Sequence, residues 1–264
     1  MSRTNAPELR RDAILLAGGR ITGAFERAVG SPWKGVVRRG SETLVERSIR
    51  ILRKTRGVGR ICVIGPEAIF PRTFATSDGG VVVCPPRENT FESLLAGMEV
   101  LHDREEDQVL AIAADLPYVV PDALEDLLVR TPVGADVGFP VIRREALRRE
   151  FPGDIGVYVP LADGPVTGGS AVVLRGGYLT HNATVLRSLV THRKSQFGMA
   201  RQFGLDLVWK LITHRLSIQD LERRISERTG GDCRAVDHCR PEISFDLDNV
   251  MDYWYYRRRE SRSG

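Results

Sequence analysis

Short apolar runs closed by turn residues recur through the first half of the chain. Ala13-Ile-Leu-Leu-Ala17 ends at Gly18-Gly19, and Ile61-Cys-Val-Ile64 ends at Gly65-Pro66. Val81-Val-Val-Cys84 ends at Pro85-Pro86, and Val109-Leu-Ala-Ile-Ala113 runs into Asp115-Leu-Pro117. Continuous apolar runs of this length fit strands buried on both faces. Helical periodicity lies between them. Leu44, Val45, Ser48, Ile49 and Leu52 share one face of a helix opening near Ser41. Phe91, Leu94, Leu95, Met98 and Leu101 do the same after Asn89, which stands three residues before Glu92 as a reciprocal cap. Pro121 opens a third helix with Leu124, Leu127 and Leu128 inward. Strand–helix–strand repetition predicts an α/β fold, a mostly parallel sheet with helices on both sides.

The second half is less regular. Ala135–Phe139 and Ser170–Leu174 read as strands, and residues 178–228 as mostly helical, with Gly198 and Gly204 as interruptions. Ser217 caps a helix carrying Ile218, Leu221 and Ile225. A strand near Ile243–Leu247 is expected to lead into a last helix from Asp248, and Arg257–Gly264 to fray.

The 264 residues are 42% hydrophobic and 27% charged, which excludes disordered, collagen-like and disulfide-dense classes. Lys34, Lys54, Lys194 and Lys210 are the only lysines among 38 basic residues. The acidic residues are interspersed with the basic ones, so no nucleic-acid stripe appears. Cys62 and Cys84 read as buried thiols. No apolar run reaches the ~20 residues that cross a bilayer, and Met1–Asp12 lacks the apolar core of a signal peptide. The expectation is a reducing, cytoplasmic setting.

Four places carry candidate chemistry. Leu16-Ala17-Gly18-Gly19-Arg20 closes the first strand. Its glycine amides approach a ligand without Cβ obstruction, as in phosphate cradles, although a plain turn has the same composition. Neither a G-x-G-x-x-G fingerprint nor a Walker A sequence is present. Lys34 lies in the same long connection, in a Gly/Ser/Pro loop where its ammonium is placed to neutralise phosphate or simply to meet solvent. Asp115 stands at the carboxyl end of a buried strand, the edge where open α/β sheets bind ligands, and it also reads as a helix cap. Asp246 and Asp248 share one face of an extended segment and suit a hard cation, while Asp248 also reads as a cap. Cys233, His238, Cys239 and His214 do not have the paired spacing of a zinc site. Tyr253-Trp-Tyr-Tyr256 reads as the aromatic face of a docking helix.

Taken in order, these pieces resemble the MobA-like nucleotidyltransferases, relatives of molybdenum cofactor guanylyltransferase and the sugar-phosphate nucleotidylyltransferases. The resemblance runs from about Asp12 to Tyr253. It includes the Leu-Ala-Gly-Gly loop, Lys34 to Arg47, Val63-Ile-Gly-Pro66, Asp115-Leu-Pro117 and Asp248-Asn-Val-Met-Asp252. The loop after Gly19 is longer than in the family, and Arg20-Ile-Thr-Gly23 replaces its Ser/Thr-Arg-Met, leaving Arg20 and Arg27 as candidates for a phosphate-facing arginine. Asn249-Val250-Met251 replaces Thr-Pro-Glu.

The resemblance implies a three-layer α/β/α, Rossmann-like fold of the nucleotide-diphospho-sugar transferase type with a mixed sheet. It also implies one domain over residues 1–264 with a helical insertion at about 178–228. The implied activity moves an NMP from an NTP to a phosphate or hydroxyl acceptor and releases pyrophosphate. Lys34 and Asp115 are the implied catalytic residues. Leu16, Ala17, Gly18, Gly19, Arg20 and the stretch from Pro85 to Asn89 are implied on the nucleotide, and Gly168 and Gly169 on the acceptor. Asp115, Asp248 and Asp246 are implied around Mg²⁺. The implied partners are an NTP and a small-molecule acceptor, with neither membrane nor nucleic acid, and a homodimer fits. Two other classes share parts of the pattern: a glycosyltransferase using a nucleotide sugar, and a non-catalytic nucleotide-binding relative.

Overall fold

A computed structural model describes residues 10–70, 80–101, 107–153, 156–192 and 205–263. The chain opens with β1 (Arg11–Leu16), α1 (Gly23–Val29), β2 (Arg38–Arg39), β3 (Glu42–Thr43), α2 (Leu44–Lys54) and β4 (Val58–Ile64). It continues through β5 (Val81–Cys84), α3 (Thr90–Leu101), β6 (Gln108–Ala113), α4 (Pro121–Arg130), β7 (Val137–Arg143) and α5 (Arg144–Glu150). Then come β8 (Val159–Leu161), β9 (Gly164–Gly168), β10 (Ala171–Arg175), α6 (Gly176–His181) and α7 (Ala183–His192). It closes with α8 (Leu205–Ile212), α9 (Ile218–Thr229), β11 (Cys233–Val236) and α10 (Val250–Ser263).

Among the described residues one nine-stranded sheet has the order β5-β4-β1-β6-β10-β7-β9-β8, with β11 beside β7. The four apolar runs of the first half are adjacent and parallel, in the order β5-β4-β1-β6. β10 then runs antiparallel to β6, with Ala171 opposite Ile112. That reversal brings the start of β10 to the edge where the parallel strands end.

Alternation along each strand separates two cores. Ala13 and Leu15, Ile61 and Val63, and Leu110 and Ile112 pack on one face with Leu44, Ile49, Leu124 and Leu127 of α2 and α4. Ile14, Cys62, Ile64, Val109 and Ala111 pack on the other with Phe91 and Met98 of α3 and Leu179 of α6. A third cluster joins Val141, Leu161 and Val166 to Leu207, Leu216 and Ile218, so α8 and α9 pack beside β7–β9. Gly198 and Gly204 lie outside the described residues.

The helices follow the sequence pattern with local corrections. The apolar face of α2 is buried as read, but the helix starts at Leu44, not near Ser41. Arg38–Thr43 instead fold into the β2–β3 hairpin, with Gly40 at a φ of 60°. Thr43 and Glu46 then form a capping box, with Glu46 N–H donating to Thr43 Oγ1 at 3.2 Å and Thr43 N–H to the Glu46 carboxylate at 2.7 Å. At α3, Asn89 Oδ1 accepts from Glu92 N–H at 3.0 Å, but the reciprocal half is missing. The Glu92 carboxylate accepts from Arg187 Nε at 2.6 Å instead. The strand read at Ala135–Phe139 begins two residues later and extends to Arg143. Ser217 and Asp220 form a capping box on α9.

The carboxyl-terminal segment departs most. No strand forms at Ile243–Leu247. A 3₁₀ turn over Pro241–Ile243 leads into an extended stretch tied by single bonds to two different elements. Ser170 N–H donates to Ile243 O at 2.8 Å, and Leu247 N–H to Asp115 O at 3.2 Å. The last helix begins at Val250 and is capped by Asn249, whose Oδ1 accepts from Met251 N–H and Asp252 N–H. It runs to Ser263 rather than fraying, because it has partners along its length. Tyr256 is 1% exposed and donates to Arg38 O at 2.6 Å. Arg259 lies 4.9 Å over the Phe151 ring and 5.1 Å over Tyr118, and Arg39 pairs with Glu260 at 3.2 Å.

Gly97 lets α3 approach the sheet. A Cβ there would stand 2.8 Å from Ile64 Cδ1 and 2.9 Å from Ile14 Cγ2. Gly97→Val should therefore cost about 1–3 kcal/mol through overpacking. Urea unfolding of the variant and the parent measures it, and an unchanged midpoint would show that α3 can move outward at no cost.

Candidate active site

The parallel strands are apolar toward their carboxyl ends, over Ala13–Leu16, Ile61–Ile64, Val81–Val83 and Val109–Ala113, so the polar groups that follow them gather at one edge. A cleft of about 1140 Å³ opens there. Leu16, Ala17, Gly18, Gly19 and Arg20 form one wall, continuing from β1. The connection from β5 to α3 forms a second wall, with Pro86, Arg87, Asn89 and Phe91. Gly169, Ser170 and Val172 supply a third from the start of β10, and Asp115, Asp246 and Asp248 also line the cleft.

Lys34 is not an exposed loop lysine. It begins a 3₁₀ turn over Lys34–Val36 whose seating is strict. Lys34 N–H donates to Gly19 O at 2.9 Å. Gly35 sits so close to α2 that a Cβ would lie 2.6 Å from Val45 Cγ2. The side chain therefore runs past the glycine loop, where a Cβ on Gly19 would lie 3.3 Å from its Cδ. Its Nζ ends 2.8 Å from Asp115 Oδ2 and 2.7 Å from Asp248 Oδ1. Residues 34, 115 and 248 thus meet at one ammonium.

The two legs of this bridge differ. Lys34 and Asp115 side chains are 13% and 15% exposed, whereas Asp248 is 69% exposed. The Asp248 leg is a rim contact of the kind that contributes about 0–1 kcal/mol. Burial alone would lower the Lys34 pKa, but the charges and hydrogen bonds of Asp115 and Asp248 outweigh it and hold the ammonium above its ordinary range.

Asp246 is the third carboxylate. Its Oδ2 accepts from Ser170 Oγ at 2.8 Å. Burial, then the charges of Asp115 and Asp248, push its pKa up to about 6, against the Ser170 hydrogen bond and the Lys34 charge. Three carboxylates in a cleft with one ammonium leave an excess of negative charge, and all-oxygen donors suit a hard divalent cation. Among the described residues no three His, Cys, Asp or Glu side chains are already gathered as a metal cluster. The ammonium, rather than a shared point, is what Asp115 and Asp248 converge on.

Not every candidate reaches the cleft. Of the stretch from Pro85 to Asn89, Pro86, Arg87, Glu88 and Asn89 line it and Pro85 does not, with the Pro86 Cβ 3.2 Å from where a Gly18 Cβ would be. Gly169, rather than Gly168, lines it, while Gly168 O accepts from Ser244 Oγ at 2.8 Å. Arg20 lines the cleft and lies 5.0 Å over the Trp33 ring, whereas Arg27 is carried away on α1. Asp248 is not the helix cap. Asp252 instead accepts from Asp248 N–H and Asn249 N–H. Trp33 and Ser170 line the cleft without having been assigned to a site from the sequence, and Phe91, read only as part of the buried face of α3, lines it too. For Ser170, its place next to Gly168-Gly169 was the available signal. Cys233 is buried against Thr229 and Tyr178, Cys239 donates to Val236 O, and Cys84 is half-buried 3.7 Å from Cys62.

The sheet order and the cleft at its carboxyl edge define a Rossmann-like α/β fold of the nucleotidyltransferase kind. The model of the MobA-like NTP transferase domain matches residues 13–214, and the chain belongs to that nucleotidyltransferase family. It is similar to a hypothetical transferase from Thermus thermophilus, 27% identical, with a TM-score of 0.80 over 92% of this chain and 99% of that one. It shares its fold with the 2-C-methyl-D-erythritol 4-phosphate cytidylyltransferase of Francisella tularensis, 14% identical, TM-score 0.55, over 95% and 99% of the two chains. A nucleotidyl transferase from Methanothermobacter, 18% identical, has a TM-score of 0.56 over 97% and 99%. No curated protein matches the sequence. No described helix is long and apolar enough to cross a membrane.

The raised pKa of Asp246 makes a signed prediction about stability. The folded chain binds its proton more tightly than the unfolded chain, whose Asp titrates near 3.8. The contribution of this group is therefore lost as pH rises from about 4 to about 6. At about 1.4 kcal/mol per unit the loss is on the order of 2–3 kcal/mol. Asp246→Asn, which still accepts from Ser170, should be more stable than the parent at pH 7.5 in chelator-treated buffer and no different at pH 4. Urea unfolding across that range measures it, and equal stability at both pH values would remove the strain assigned to this carboxylate.

Proposed function

We propose that the chain transfers a nucleotidyl group from an NTP to a phosphate or hydroxyl acceptor, with release of pyrophosphate and with Mg²⁺ as cofactor. The observation that carries this reading is the convergence of Lys34, Asp115 and Asp248 beside the Gly18–Gly19 loop. Nucleotidyl transfer asks a protein to position phosphates and to neutralise their charge, and this edge offers groups for both. The Gly18 and Gly19 amides hold phosphate, with Arg20 next to them. Lys34 supplies a compact positive charge to the phosphates. Pro86, Asn89 and the other residues after β5 receive the base and ribose. Gly169 and Ser170 border the acceptor. Asp115 and Asp248 hold Mg²⁺, with Asp246 beside them, and the ion would neutralise phosphate charge when bound. We take the helices of residues 178–228 as an insertion within the same nucleotidyltransferase domain, resting on the burial of Leu179, Leu207 and Ile218 against sheet residues.

Each of ATP, GTP, CTP and UTP with Mg²⁺ should be tried by thermal shift, and at least one should raise the melting temperature. Pyrophosphate release with an acceptor pool then follows turnover. Lys34→Met should lower kcat by about 10²–10³, the loss seen when one preorganised charge-stabilising group is removed. Lys34→Arg should recover only part, because a planar guanidinium needs a wider site than the point charge of an ammonium. Turnover by Lys34→Met at the parent rate would remove Lys34 from the chemistry.

A further inference from the structure

Two carboxylates that suit a divalent cation are already occupied from within the chain. Lys34 Nζ lies 2.8 Å from Asp115 and 2.7 Å from Asp248, and all three residues line the same cleft. We propose that Lys34 is the resident counter-ion of Asp115 and Asp248, and that it yields to a divalent cation only when nucleotide phosphate draws its ammonium onto the glycine loop. Nucleotide and cation then enter as a coupled pair. The inference rests on the reading of Asp115 and Asp248 as cation ligands.

Charge makes the exclusion physical. An ammonium hydrogen-bonded to both carboxylates neutralises much of what would attract a second cation, and the two positive charges repel at these separations. With Lys34 in place, only Asp246 remains of the three carboxylates, and its Oδ2 is engaged by Ser170. A divalent cation alone must therefore compete with the resident ammonium for Asp115 and Asp248.

The geometry also says what can move. The backbone of Lys34 is fixed by its N–H bond to Gly19 O and by the tight seat of Gly35 on Val45. The four-carbon stem is the free part, and lysine's flexibility allows its head to swing while its base stays. The stem already lies along Gly19, so the glycine loop is within its path. Asp248, 69% exposed, is the leg that opens first, since water can replace the ammonium there. Asp115, 15% exposed, holds its partner longer. An anionic phosphate on the loop supplies the competing attraction. Once the ammonium turns to it, both carboxylates are left to the cation. Such coupling is reciprocal: nucleotide raises cation affinity by the factor by which the cation raises nucleotide affinity.

The test uses the full chain and Mn²⁺ alone, with free ion counted by electron paramagnetic resonance. Lys34→Met should bind Mn²⁺ at least tenfold more tightly than the parent. Lys34→Arg keeps the charge and should show no gain, and Lys34→Met combined with Asp248→Asn should lose it. Equal Mn²⁺ affinity for the parent and Lys34→Met would overturn the proposal. A second measurement needs no altered site. The chain has four lysines, so [¹³Cε]lysine labelling gives few signals, and the one missing in Lys34→Arg is Lys34. That signal should stay in place with Mg²⁺ alone and shift when an NTP is added with Mg²⁺. A shift with Mg²⁺ alone equal to that with NTP and Mg²⁺ would also overturn the proposal. A Mn²⁺ gain in Lys34→Met with no lysine shift for any of the four NTPs would overturn the nucleotidyl-transfer reading and leave the counter-ion assignment standing.

Discussion

A parallel sheet covered on both faces leaves no place for polar chemistry except at its ends. Residues 13–15, 61–64 and 109–112 are at most 3% exposed, packed against helices above and below. Whatever polar groups these segments carry must follow the last strand residue. The glycine loop follows Leu16, Asp115 follows Ala113, and the Pro86–Asn89 wall follows Cys84. The cleft is a consequence of where burial stops.

The reversal of β10 adds what parallel strands alone cannot. Because β10 pairs antiparallel with β6, its beginning rather than its end reaches this edge, delivering Gly169 and Ser170 beside Asp115. The extended segment before α10 is pinned there by Ser170 N–H and by Asp115 O. Asp246 and Asp248 are thereby carried to opposite partners, the Ser170 hydroxyl and the Lys34 ammonium. The last helix fixes the arrangement from outside. Tyr253 lies 5.4 Å from the Phe25 ring, and Tyr256 bonds the backbone of Arg38, a few residues beyond Lys34. The two chain segments that supply Lys34 and Asp248 are thus clamped to each other.

Burial in this site works against the charge of Asp246, while the carboxylate partners of Lys34 hold its charge in place. Asp246 is held where its charge is disfavoured, and Lys34 is held where its charge is demanded. Such opposed environments within one cleft are a common mark of functional ground, because an unconstrained fold would place these carboxylates in water.

Much of this was legible from the chain alone. The four strand runs, the buried faces of α2 and α4 and the capping of α9 follow from local periodicity and local hydrogen bonding, which depend on neighbours three or four residues away. Asp115 could be named because it ends an apolar strand, Asp246 and Asp248 because their spacing shares one face of an extended segment, and Lys34 because it lies in the same connection as Gly18 and Gly19. What the chain could not reveal depended on partners far away in sequence. Glu92 gave up its capping role to Arg187, and the last helix extended to Ser263 because Phe151, Tyr118 and Arg39 receive it. The lining begins at Pro86 and at Gly169, one residue after Pro85 and Gly168, a boundary that the local sequence does not mark. Above all, only the tertiary fold decided that one ammonium would join residues 34, 115 and 248. Sequence sets which groups lie at the ends of strands, and the long-range packing of helices and the reversed strand sets which of those ends meet.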